Sequence, residues 1–184
     1  GAVLGGANLT DAVLTDAVVT GAYLGSITAG GFTQQQLYST ASYKAKDLLG
    51  TIWVRSDLSG WNFAGQNLAG ADFRSAILAG ANLTHTNLSG ADFRPTGISG
   101  AVLTNADLSQ ANLVGARLGG ANLSGATLTD AAVTGAFLGV ITKEQLYSTA
   151  SYKAKDLSGI DLRGSELSGW DLTGQNLTGA TLIF

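Results

Sequence analysis

A catalytic or metal-binding protein gathers titratable side chains, and this sequence scatters them. His85 is the single histidine and stands at an outward corner of a short repeat, which argues against a histidine metal site or a histidine-centred triad. Cysteine is absent, so neither a thiolate metal site nor a disulfide framework can form. Most of the thirteen acids (Asp47, Asp57, Asp72, Asp92, Asp107, Asp156, Asp161 and Asp171 among them) recur at one site of that repeat. Asparagine fills the same site elsewhere, so its geometry does not require charge, and a catalytic carboxylate pair is not expected. Gly70, Gly80, Gly90 and Gly100 recur at corners, where positive φ is easy. They form no strand-to-helix phosphate loop, which argues against nucleotide binding. Lys44, Lys46, Lys153 and Lys155 cluster where two helices should end, and there they suit the helix dipole. The expectation is a protein with no catalytic residues, no metal and no cofactor.

Composition narrows the partners. Apolar residues make up 45% of the 184-residue chain and charged ones 12%, about half the usual charged share. A net charge of −3 is too mild to draw the chain to nucleic acid or to an anionic membrane. No apolar run approaches membrane-spanning length. Neither a nucleic-acid partner nor membrane insertion is expected.

The framework that positions these residues has a period of five. Large apolar centres stand at Leu4, Leu9, Leu14, Val19 and Leu24, then at every fifth residue from Leu48 through Trp53, Phe63, Phe73, Phe93 and Ile98 to Leu138. They resume from Leu157 to Leu182. Alanine precedes most centres by two residues, as at Ala71, Ala76, Ala81 and in an unbroken series from Ala101 to Ala136. A helix would repeat its apolar residues every 3.6 positions and an ordinary strand every 2. A period of five with two apolar positions suits a short extended segment followed by a corner. Centre and alanine, two apart, then point inward together, and the residue between them points out.

Ala71-Asp72-Phe73, Ala81-Asn82-Leu83, Ala91-Asp92-Phe93 and Ala121-Asn122-Leu123 resemble the A-[DN]-[LF]-x-x motif of the pentapeptide-repeat proteins. The resemblance implies an all-β solenoid, a right-handed quadrilateral parallel β-helix with four pentapeptides per coil, read here as one domain over residues 1–184. It is specific for fold and weak for function.

Two breaks interrupt the repeat, and they are near-copies: FTQQQLYSTASYKAKDL at 32–48 and ITKEQLYSTASYKAKDL at 141–157. Thr33 with Gln36, and Thr142 with Gln145, have the form of a capping box. Leu37, Ala41 and Ala45 make a narrow apolar stripe, as do Leu146, Ala150 and Ala154. Each break is predicted to be a short helix, over about 32–47 and 141–156. Leu48 recurs as Leu157, so the module is 109 residues long. Eighteen pentapeptide steps separate Leu48 from Leu138. If each break takes up two faces, the helices project from one side, roughly 24 Å apart at ~4.8 Å per coil.

After each break the inward alanine gives way to Lys46, Thr51, Ser56, Trp61 and Gln66, and to Lys155, Ile160, Ser165, Trp170 and Gln175. Tryptophan does not fit a site cut for alanine. Tyr38, Tyr43 and Trp61, and in the second copy Tyr147, Tyr152 and Trp170, therefore read as seats for the helices. The competing reading is a ligand pocket lined by Trp61, Tyr38 and Tyr43.

A non-enzymatic structural or assembly module follows, for instance part of a longer surface solenoid, which favours an extracellular or cell-surface setting slightly over the cytoplasm. Ala2, Val3 and Leu4 at one end and Leu182, Ile183 and Phe184 at the other are the expected head-to-tail contact, since open coil ends resemble sheet edges. The resemblance supplies an alternative: some pentapeptide-repeat proteins are acidic rods that mimic DNA and bind type II topoisomerases. The mild charge ranks that second.

Overall fold

In the computed structural model, which describes residues 1–97 and 100–183, the pentapeptides wind into a right-handed, four-sided β-helix. Ile98 and Phe184 lie outside the described residues. The corner of each pentapeptide closes through a hydrogen bond from the N–H three residues after the centre, as in Ala76 to the Phe73 carbonyl at 2.9 Å and Ala81 to Leu78 at 3.0 Å. Successive coils pair in parallel. Asp72 donates its N–H to the Thr51 carbonyl of the preceding coil at 3.0 Å, and Phe73 donates to the Asp92 carbonyl of the next at 2.7 Å.

The Asp/Asn site has a local cause. Its side-chain oxygen accepts the N–H two residues on: Asp72 from Arg74 at 3.0 Å, Asn82 from Thr84 at 3.0 Å, Asn122 from Ser124 at 3.0 Å. This Asx turn needs a carbonyl-type oxygen and no charge, which is why aspartate and asparagine interchange there.

Face 1 carries the longest ladder, running Val3, Tyr23, Ile52, Asp72, Asp92, Arg117, Phe137, Asp161, Thr181. Regular coils advance 20 residues, as from Asp72 to Asp92. The step from Asp92 to Arg117 is one pentapeptide longer, and the change of register follows Pro95. Proline has no N–H to give a ladder; Ala101 takes over the corner bond to the Phe93 carbonyl at 3.0 Å, and Thr96 turns toward Ser75. One of the eighteen steps counted from sequence therefore does not advance a face.

Face 2 follows Asp57, Ile77, Val102 and Asn122; face 3 follows Asn62, Asn82, Asp107 and Thr127; face 4 follows Asp47, Asn67, Asn87, Asn112 and Ala132. The helices α1 (Gln34–Ser39) and α2 (Ala41–Lys44) fall between rungs Tyr23 of face 1 and Asp47 of face 4; α3 (Lys143–Ser148) and α4 (Ala150–Lys153) fall between Phe137 and Asp156. Both pairs thus take the place of a face-3 rung. Counted along face 1, they stand five coils apart.

Each insertion is two short helices rather than the single one expected. Thr40 breaks the first with extended backbone (φ −67°, ψ 150°), and Thr149 breaks the second in the same way. The alanine stripe is also corrected: Ala45 and Ala154 are exposed, whereas Leu37, Thr40 and Ser42, with Leu146, Thr149 and Ser151, are buried. The hydroxyls go inside because the neighbouring coil gives them backbone partners.

The core is one column of centres. Within it Trp53, Phe63, Phe73 and Phe93 are fully buried: Trp53 meets Phe63 edge-on at 6.1 Å, Phe63 meets Phe73 edge-on at 6.4 Å, and Phe73 stacks on Phe93 at 5.1 Å. Inward alanines such as Ala71, Ala76 and Ala81 are fully buried and leave room for these rings. The end coils differ: Leu4, Leu9 and Leu14, and Leu172, Leu177 and Leu182, are only partly buried.

Candidate functional site

Each helical insertion breaks the ladder, and the same side chains seal it both times. Thr33 caps α1 through the Gln36 N–H at 3.2 Å, while Gln36 Oε1 accepts the Thr33 N–H at 2.7 Å. That capping box leaves the Gln36 amide nitrogen free to close the preceding coil, donating to the carbonyls of Leu9 at 2.7 Å and Ala12 at 2.8 Å. Gln145 does the same for Leu123 at 2.8 Å and Ala126 at 3.0 Å. Thr40 Oγ1 donates to the Leu37 carbonyl at 2.6 Å and caps α2 by accepting the Tyr43 N–H at 3.1 Å. Ser42 and Ser151 accept the N–H groups of Val19 and Val133, each at 2.9 Å.

On the following coil, tyrosines replace the missing strand. Asn62 donates its N–H to the Tyr38 hydroxyl at 2.7 Å, and the Tyr43 hydroxyl donates to the Asn62 carbonyl at 2.7 Å. One coil later Asn82 makes the regular bond to a peptide carbonyl, that of Trp61, at 3.0 Å. Two phenols thus stand in for one rung, with their rings stacked at 4.3 Å. In the second module Asp171 donates its N–H to Tyr147 and accepts from Tyr152 at 2.7 Å, and the rings stack at 4.2 Å.

Burial, with the hydrogen bond and proximity of Tyr38, pushes the Tyr43 phenol up; burial and Tyr147 push Tyr152 up to about 12. A raised phenol stabilises the fold fully below its unfolded value of about 10 and loses that contribution as pH rises through the folded value. Stability should therefore decline between pH 10 and 12. Tyr152→Phe should flatten that decline and cost about 1 kcal/mol at neutral pH, read by denaturant unfolding from pH 7 to 12. An unchanged alkaline slope would remove the phenol from the seal.

The tryptophans complete the seats unequally. Trp61 is buried between Phe32, just before α1, at 6.0 Å and the core rings of Trp53 at 6.3 Å and Phe63 at 6.2 Å. Trp170 is half-buried and meets Tyr147 of α3 edge-on at 6.4 Å. The small neighbours Thr51 and Ser56 give Trp61 its space, and their buried hydroxyls bond the carbonyls of Leu48 at 2.7 Å and Leu24 at 2.9 Å. Lys46 and Lys155 are exposed corner residues at positive φ and not inward-pointing. The competing reading set Trp61, Tyr38 and Tyr43 around one pocket; the phenol oxygens of Tyr38 and Tyr43 are turned to Asn62. Trp61 lines a groove together with Phe32, Gln34, Arg55 and Asp57.

Charge is sorted by face, which the five-residue reading missed. Arg55, Arg74, Arg94, Arg117 and Arg163 all lie on face 1 or its edge, whereas the lysines lie in or beside the helices. The face-1 acids are Asp72, Asp92 and Asp161, each clamped by the arginine two residues on, at 2.7, 2.8 and 2.6 Å. Burial works to raise Asp92 and Asp161, but the hydrogen bonds and charge of Arg94 and Arg163 outweigh it and hold both below the usual carboxylate range. Face 1 is thus net positive on a negative protein. Reading residues in blocks of twenty would have revealed it, had the longer coils not shifted the register. Among the described residues no group of three or more His, Asp or Glu side chains is placed to hold a metal ion, and no helix is long and apolar enough to cross a membrane.

The coil ends carry the remaining candidates. Val3, Val13 and Val18 occupy the outward site that holds Asp or Asn in most coils, and they are 79%, 84% and 73% exposed. Ala2 and Ile183 are exposed too, and Leu4 and Leu182 half-buried.

The pentapeptide-repeat family model matches residues 1–26, 56–94, 99–139 and 156–184. The chain belongs to the pentapeptide repeat family. Pentapeptide repeat proteins are generally structural or binding proteins rather than enzymes, and they mediate protein–protein interactions. Among solved structures, the chain is similar to a pentapeptide repeat protein of the Arabidopsis thaliana thylakoid lumen, with 33% identity over 69% of this chain and 68% of that one and a TM-score of 0.43. It is similar to one from Nostoc PCC 7120, with 25% identity over 87% and 97% and a TM-score of 0.47. A third, Rfr23 from the cyanobacterium Cyanothece 51142, shares 31% identity over 45% of this chain with a TM-score of 0.41, and the match spans about half of that protein, 53%. Comparison with curated proteins gave no match.

Proposed function

We propose that this chain is a non-catalytic assembly module whose coils stack end to end on those of a second copy. The observation that carries the reading is the set of outward valines Val3, Val13 and Val18 in the first coil, where most coils carry Asp or Asn. The valine side chains are exposed. A coil of a second copy stacked there would pair with the backbone along the axis and shield the valines. The last face-1 rung is Thr181, so the next pentapeptide falls on face 2. A second copy continuing the winding would place its Val3 there, turning its helices by one face. Head-to-tail contacts of this kind do not close, and they build rods.

The acidic-rod alternative fits less well, because every arginine lies on or beside one net-positive face. The test is light scattering over a concentration series. The 184-residue chain should grow with concentration, while the Val13→Lys, Val18→Lys double variant, with charges in place of two exposed valines, should remain monomeric. A wild-type chain that stays monomeric at high concentration refutes the reading.

A further inference from the structure

The two modules differ by five residues at one place. Between the core leucine and the threonine that caps the helix, the first module has eight residues, 25–32, and the second has three, 139–141. In the first module the extra length forms a 3₁₀ turn, Ile27–Gly30, on face 2. That turn closes the coil before it: Gly6 donates its N–H to the Gly25 carbonyl at 3.1 Å, and Leu9 donates to the Gly30 carbonyl at 2.6 Å.

The second module has no such segment. Gly120 and Leu123 hold the positions of Gly6 and Leu9, and their N–H groups have no partner among the described residues. The face-2 ladder accordingly stops at Asn122. The shortened chain passes instead toward the following coil, where Ile141 donates to Ser165 Oγ at 3.2 Å and Ser165 donates to the Gly139 carbonyl at 2.9 Å. A groove of about 500 Å³ remains along the unpaired edge, between residues 120–124 and residues 139–142. Phe137 and Val140 line it, and Val140 is 67% exposed.

We propose that this groove docks a short peptide segment of a partner protein, which supplies the carbonyls that the 3₁₀ segment supplies in the first module. The first module shows both the length and the chemistry of the occupant: about a pentapeptide, uncharged, with carbonyls facing the two free donors and one apolar side chain toward Phe137 and Val140. As in strand addition, affinity comes from main-chain hydrogen bonds and specificity from side-chain fit. Arg163 on the rim is already held by Asp161 at 2.6 Å, so backbone pairing and apolar fit dominate over charge. The proposal stands apart from end-to-end stacking, since the groove lies on the side of the solenoid and not at its ends.

The probe is a synthetic peptide with the sequence of residues 24–32, added to the full chain while amide exchange is followed by NMR. In the free protein the Gly120 and Leu123 amides should exchange at least ~10-fold faster than those of Gly6 and Leu9, and saturating peptide should slow them by a similar factor. A variant in which residues 25–32 replace residues 139–141 should show slow exchange without peptide and should not bind it. Val140→Asp, on the exposed wall, should weaken binding ~10-fold or more through lost apolar contact. Free-protein amides as slow as Gly6 and Leu9, or millimolar peptide that leaves Gly120 and Leu123 unchanged, would overturn the proposal. So would equal binding by the Val140→Asp variant.

Discussion

Phe73→Ala is expected to destabilise the solenoid by about 3–5 kcal/mol, within the range for deleting a buried phenylalanine. Phe73 is fully buried, with Phe63 on one side at 6.4 Å and Phe93 stacked on the other at 5.1 Å. The inward alanines of its own and the next pentapeptide, Ala71 and Ala76, have no side chain long enough to fill the space. A solenoid holds together through contacts between adjacent coils only, so its stability is close to a sum of coil and interface contributions. The break should therefore separate the unfolding of the coils before Phe73 from that of the coils after it. Denaturant unfolding followed by tryptophan fluorescence and by far-UV circular dichroism would show the two transitions parting. Coincident transitions with a loss under 1 kcal/mol would mean that the aromatic column does not couple the modules.

The second large effect contrasts the two seats. Trp61→Ala should cost about 3–5 kcal/mol, because Trp61 is buried against Phe32, Trp53 and Phe63. Trp170→Ala should cost much less, since Trp170 is half-buried and, among the described residues, its ring contact is Tyr147 alone. Both tryptophans sit in the same LSGW and GQNL setting, but Trp53 and Phe63 of the first module are Leu162 and Leu172 in the second. The first module brings a phenylalanine, Phe32, onto its tryptophan; at the matching place the second has Ile141 and a shorter chain. Thermal unfolding of both variants checks this, and equal shifts would contradict the unequal packing.

Much of this was readable from the five-residue period, because every pentapeptide repeats the same local physics: an inward centre, an inward alanine, an Asx turn and a corner. The capping boxes at Thr33 and Thr142 were readable for the same reason, since they are local. What escaped was whatever depends on the face. A face is a position within a coil, and the coil length changes after Pro95 and at both helices. The arginines on face 1 and the shortened coil at residues 139–141 became visible only with the ladders in place. The helical stripe misled because Ala41 and Ala45 look apolar, while Thr40 and Ser42 are buried for their hydroxyls. Tyr38 and Tyr43 stand in α1 and α2, and nothing in a tyrosine's spacing says that its hydroxyl replaces a peptide group.

Cryo-electron microscopy of the purified 184-residue chain at high concentration tests the assembly reading most directly. Continuous winding from Thr181 into a second copy's Val3 gives eight coils and one further face per copy. At ~4.8 Å per coil the subunit rise should be about 40 Å, with each copy's helices turned a quarter of the way round from those of the last. Rods with that rise and rotation are the predicted result. Separate particles about one chain long, at concentrations where light scattering has reached its plateau, would contradict it.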